Sequence, residues 1–103
     1  MTRLVALIAA LCGVILAQPA CAAGLSFIEV PTENGSPMAG AVWFPCAAPP
    51  AMVPIGDRFL HGTKDCPVMG QGLPLIVMSH GFGGWFGGHH DTAEALADAG
   101  FIV

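Results

Sequence analysis

The apolar positions of this chain fall into blocks that differ in kind. Leu4 to Ala17 is a charge-free apolar run behind one positive side chain, Arg3, and Gln18-Pro19-Ala20-Cys21-Ala22-Ala23 follows it with a helix breaker and small residues. A charged start, an apolar middle and an A-x-A end mark residues 1–23 as a secretory signal peptide. The run falls short of the roughly 20 residues needed to span a bilayer, so no stable membrane anchor is expected. Leu25 to Val30 (LSFIEV) and Met38 to Phe44 (MAGAVWF) read as strands. The turn chemistry between them, PTENGSP with Asn34-Gly35 as its strongest reversal signal, makes the pair an antiparallel hairpin.

Pro45 to Gly72 sustains neither the helical nor the strand period and holds Pro49, Pro50, Pro54 and Pro67. It reads as a long loop, of a length usually found only where a loop is functional or stapled. Within it Phe59-Leu60-His61 is expected to cover part of the core, and Asp57, Arg58, Lys64 and Asp65 to be solvated. Leu75 to Met78 is a dense run of branched and apolar residues, the pattern of a strand buried on both faces, with Pro74 at its tolerated first position. It ends in Ser79-His80-Gly81, and five glycines lie between Gly81 and Gly88. Asp91 then reads as an N-cap with Glu94 three residues on, Ala93, Leu96, Ala97 and Gly100 share one face, and Gly100 is a natural stop. Phe101 to Val103 opens as another buried strand. The pattern therefore predicts an α/β chain: antiparallel hairpin, long loop, then a β-α-β start with a right-handed crossover.

Length changes that picture in one respect. The 103 residues allow one domain at most, and a strand buried on both faces needs neighbours on both sides. Residues 24–103 are accordingly expected to be the N-terminal part of a larger domain. Charge excludes some partners. Beyond the leader only Arg58 and Lys64 face seven carboxylates, so nothing basic remains to hold nucleic acid or an anionic membrane. Export, to the periplasm or the exterior, implies an oxidising compartment. There Cys46 and Cys66 are most simply a disulfide, with two free thiols as the alternative. Neither cysteine has the close Cys or His partner that a zinc site needs, and no metal or other cofactor is expected.

The candidate chemistry lies in the glycine loop. Acyl transfer to a serine places negative charge on the former carbonyl oxygen, and backbone N–H groups aimed at that oxygen stabilise it. Such donors need a backbone that turns sharply after a strand with no side chains in the way, as Ser79-His80-Gly81-Phe82-Gly83-Gly84 offers. A dinucleotide loop is the rival, but Phe86 stands where the third glycine belongs. Ser79 lacks the glycine two residues before it that a nucleophile elbow carries, and His80 has no identifiable partner as a base. His89-His90-Asp91 are adjacent ligands on a turn that seldom converge on a metal, and Trp85 and Phe86 read as core or as pocket lining.

VMSHGFGG followed by ALADAGFIV is similar to the corresponding stretch of platelet-activating-factor acetylhydrolase and dienelactone-hydrolase-like α/β-hydrolases. WFPCAAPP, KDCP and LPLIVMSHG together resemble the exported bacterial branch of that group. The resemblance covers most of Leu25 to Val103. It implies an incomplete α/β-hydrolase sheet and a small-molecule ester as substrate. It implies that Phe82 donates its backbone N–H to the oxyanion while His80, Gly81, Gly83 and Gly84 shape the loop. No G-x-S-x-G occurs in the chain, so the nucleophile, acid and base of such an enzyme are not carried over. The competing expectation is a small secreted binding module held by a disulfide, with no enzymatic activity.

Overall fold

The computed structural model describes residues 22–103. The signal-peptide reading, apart from Ala22 and Ala23, lies outside the described residues, as do Cys12 and Cys21. In chain order the elements are β1 (Gly24–Val30), β2 (Met38–Phe44), β3 (Met52–Ile55), β4 (Arg58–His61), β5 (Thr63–Lys64) and α1 (His90–Asp98).

β1 and β2 form an antiparallel hairpin in unbroken register from Gly24↔Phe44 to Val30↔Met38. Burial along it is graded rather than alternating: the Gly24/Phe44 end is buried and the Val30/Met38 end is exposed. The hairpin is thus rooted in the core at one end and stands out into solvent at the other. Gly24 is needed at the root, because a Cβ there would lie 2.7 Å from the Cys66 sulfur and on the Phe44 ring.

β5 adds to the other edge of β1 in parallel, Gly24↔Thr63 and Leu25↔Lys64, giving a mixed three-stranded sheet of order β2-β1-β5. The Thr63 N–H donates to Ala23 O and the Asp65 N–H to Leu25 O, both at 3.0 Å. β3 and β4 pair as a second hairpin through Gly56-Asp57, with Gly56 at φ 59 in the first central position. Two-residue hairpin turns of the II′ kind put glycine there because a side chain would oppose the positive φ. Pro54 costs no ladder bond, since β3 belongs to a two-stranded sheet and has one edge unpaired.

α1 lies on β2. Its buried residues, Ala93 and Ala97, are one turn apart, and their small side chains bring the helix axis close to the sheet. The helix begins two residues earlier than the cap signal suggests. His89 is the N-cap and makes no side-chain bond, while Asp91 sits in the first turn with its carboxylate accepting the Thr92 N–H at 2.8 Å. An acidic side chain there is favourable against the helix dipole without being the cap. The C-terminal stop is as expected: Gly100 takes φ 101, its N–H donates to Ala97 O, and the Phe101 N–H reaches back to Leu96 O. That pair of bonds is the Schellman arrangement, which glycine permits at this position. Leu25 and Leu60 are fully buried at the centre of a core shared with Trp43, Val53, Ala93 and Ala97.

The expected incomplete α/β-hydrolase sheet is not what the described residues form. They are mostly strands, in one mixed three-stranded and one two-stranded sheet, with a single short helix. Two findings overturn the α/β expectation. Pro45 to Gly72 is not a plain long loop but carries β3, β4 and β5. Leu75 to Met78 is not a strand buried on both faces: it makes one parallel bridge, Leu75↔Ile102, and Leu75 and Val77 are 68% and 84% exposed. The physical reason is the lack of neighbours. The Ile76 N–H donates to Ile102 O and the Ile102 N–H to Pro74 O, while Val103 exchanges bonds at 2.9 Å with Trp43. Those contacts hold one residue's width of backbone on one side. Among the described residues nothing pairs with the opposite edge, and the face that carries Leu75 and Val77 stays bare while Ile76 on the other is half-buried.

Candidate functional site

The segment Ser79 to Gly88 leaves the exposed apolar run and returns to α1 through two tight reversals. In the first, the Gly84 N–H donates to Gly81 O at 3.0 Å and Gly83 takes φ 76. Phe82 and Gly83 are therefore the two central residues of a four-residue turn, with a positive φ at the third position, where type II turns require glycine. In the second, the Gly88 N–H donates to Trp85 O at 3.0 Å. His80 braces the first turn: its Nδ1–H donates to Gly81 O at 2.9 Å. Gly84 is close-packed, since a Cβ there would meet Gly81 O at 3.1 Å and His80 Cβ at 3.2 Å.

The five residues assigned to the loop by sequence are thus neighbours along one turn. Among the described residues, no backbone carbonyl accepts the Phe82 N–H. The Phe82 side chain is fully exposed and packs on nothing that would cover the turn. Beside the loop an open cleft of about 800 Å³ runs between the exposed end of the β1–β2 hairpin and the apolar run. Ile28, Met38, Val77 and Phe86 line it, and Ser79 and His80 stand at its loop end. The arrangement can present a backbone donor to an anionic oxygen beside an apolar surface.

Cys46 and Cys66 are joined in a disulfide with Cα atoms 6.3 Å apart. It closes the stretch that carries β3, β4 and β5, and fixes β5 against β1. Metal chemistry has no obvious seat: among the described residues no three His, Cys, Asp or Glu side chains cluster. His90 instead donates through Nδ1 to Glu94 Oε1 at 3.1 Å, one turn along α1. Among the described residues no helix is long and apolar enough to cross a membrane.

Sequence reasoning missed two contacts. Arg58 places its guanidinium carbon 4.8 Å from the Trp85 ring centroid, and Lys64 places its ammonium 5.8 Å from the Phe27 ring. Between those cations runs a chain of edge-to-face rings, Trp85–Phe86 at 5.4 Å and Phe27–Phe86 at 6.1 Å. No local signal announces the Arg58–Trp85, Lys64–Phe27 and Phe27–Phe86 pairs, because each joins residues far apart in sequence that only the fold brings together. Comparison with family models, with curated proteins and with solved structures returns no match.

Proposed function

We propose that Ser79–Gly84 is an oxyanion-binding loop, one backbone donor's worth of an exported serine carboxylic-ester hydrolase. The observation that supports this reading is the Phe82 N–H, which no backbone carbonyl among the described residues accepts, on a turn braced by His80 and Gly84. The likeness of VMSHGFGG to the acetylhydrolase and dienelactone-hydrolase-like enzymes points the same way. The substrate class is a small ester, and the apolar cleft beside the loop suits its hydrocarbon portion. Nucleophile, acid and base are not among the 103 residues, so these residues alone turn over no ester.

The test uses the turn itself. Phe82 occupies its second position, where proline is favoured, so Phe82→Pro removes the N–H and keeps the reversal. Reading the gene past codon 103 should reveal G-x-S-x-G. In the complete product Phe82→Pro should lower kcat for p-nitrophenyl acetate by about 10²–10³-fold, while Phe82→Ala, which keeps the N–H, should not. Equal rates for the two variants, or robust turnover by the 103 residues alone, remove the reading.

A second reading draws on the disulfide. A small secreted module held by Cys46–Cys66 could use the exposed Leu75 and Val77 to bind a partner without catalysis. A stop codon directly after Val103, with a folded and soluble product, would favour it.

A further inference from the structure

We propose that Arg58 is a positioning residue, whose guanidinium stacks over Trp85 and thereby ties the Gly81–Gly88 loop to the β3–β4 hairpin. The loop has little else to hold it. Of its backbone bonds, Gly84 to Gly81 and Gly88 to Trp85 are internal and the third, from the His90 N–H to Gly87 O at 3.2 Å, joins its end only to the first residue of α1, so among the described residues none ties it to a strand. Its side-chain ties are the rings of Trp85 and Phe86, the first two residues of the second turn. Phe86 meets Phe27 of β1, and Trp85 packs on the core from one side and meets Arg58 on the other. Gly87 confirms how closely the indole is seated, because a Cβ there would fall on its ring. Trp85 adjoins Gly84, the residue that closes the turn presenting Phe82. A shift of the indole is therefore passed directly to that turn.

Arg58 suits this role by placement. It is the first residue of β4, set directly after the two-residue turn, and its backbone is fixed by pairing with Ile55. Among the described residues its other charged partner is Asp57, at 3.9 Å from Nε, with a carboxylate side chain 97% exposed. A water-exposed contact of that length is too weak to pull the guanidinium off the ring. A planar guanidinium stacks face-on over an indole, whereas an ammonium makes the same attraction from a point, so lysine should replace arginine in part.

The consequence for catalysis rests on the oxyanion reading; the clamp itself does not, and the experiment separates them. In the 103-residue chain, NMR should find the Arg58 side-chain methylene protons displaced upfield by the indole, and Trp85→Leu should abolish that displacement. Arg58→Ala should speed amide exchange at Gly84 and Gly88 by about two- to fivefold, Arg58→Gln should do the same, and Arg58→Lys should restore part of the protection. Lys64→Ala, which touches Phe27 and not Trp85, should leave both amides unchanged. Undisplaced Arg58 protons in the wild type, or identical exchange in Arg58→Ala and wild type, overturn the clamp. Should Arg58→Ala disturb folding, the Gln–Lys comparison decides, since both keep a long side chain and differ in charge. Faster exchange with unaltered ester turnover by the complete product supports the clamp and removes the oxyanion reading.

Discussion

Reducing the Cys46–Cys66 disulfide should remove a large share of this fold's stability. The two cysteines are 20 residues apart. On the chain-entropy estimate, a cross-link closing such a loop destabilises the unfolded ensemble by about 3 kcal/mol. A domain of this size has roughly 4–12 kcal/mol in total, so reduction takes away a quarter or more of it. The structure says where the loss should first be felt. β5 has only two residues, and two backbone bonds to Ala23 O and Leu25 O attach it to β1. Cys66 stands two residues past β5, and Cys46 two residues past the buried end of β2.

Comparing oxidised and reduced wild type isolates the cross-link, because a buried cysteine behaves as a small hydrophobe and the side chains at 46 and 66 are unchanged. Urea unfolding should show the midpoint falling by roughly 2–3 M on reduction at an m-value of about 1 kcal/mol per M. Hydrogen exchange should show the Thr63 and Asp65 amides losing protection before those of β2. A midpoint shift below about 0.5 M would refute the reasoning, since it would mean that the unfolded chain gains little freedom when the link opens. Loss of protection spread evenly over β1 and β2 would refute the assignment of β5 as the element that the link secures.

Two further predictions follow from burial. Leu60→Ala should cost about 2–5 kcal/mol, because Leu60 is at the centre of the core, whereas Leu75→Ala should change stability by less than about 0.5 kcal/mol; paired urea titrations check both. The reverse order would restore the buried-strand expectation for Leu75–Met78. The leader read as residues 1–23 should be cleaved one residue sooner on export, leaving Ala23 rather than Gly24 first, because Ala23 is buried and its carbonyl accepts the Thr63 N–H; intact mass of the secreted product decides between them.

The parts of the fold legible in sequence were those set by local chemistry. Phe27, Ile28 and Val30 on one side of Asn34-Gly35, and Val42, Trp43 and Phe44 on the other, mark a hairpin without tertiary help. Gly100 marks the end of α1 because only glycine takes φ 101 there at no cost. β3 and β4 carry a signal that conflicts with itself: MVPI and RFLH flank Gly56-Asp57, a two-residue hairpin turn, but Pro54 argues against a strand unless that strand has an open edge. β5 has no signal at all, since two residues make no period. Leu75–Met78 failed for the opposite reason. Its composition is that of a buried strand, but composition states what a segment needs and not whether neighbours are there to supply it. The Cys46–Cys66 link was legible from compartment and count, with no geometry required.

The glycine loop is where these levels meet. From Pro67 to His90 the chain carries no Asp, Glu, Lys or Arg, so no charged side chain of its own competes for an anion or repels one. Arg58 is engaged by the Trp85 ring and Lys64 by the Phe27 ring. What the loop has to offer an anionic oxygen is therefore backbone: an N–H held out by a turn, beside an apolar cleft. A fixed dipole of that kind gains strength as water is excluded, because its attraction to charge grows as the local dielectric falls. The exposed state of Phe82, Leu75 and Val77 leaves the donor in water, where it is weak. Covering that face, whatever covers it, is thus the step that would turn an ordinary turn amide into a catalytic one. Measured anion affinity at the loop should rise when the face is covered and stay negligible when it is bare.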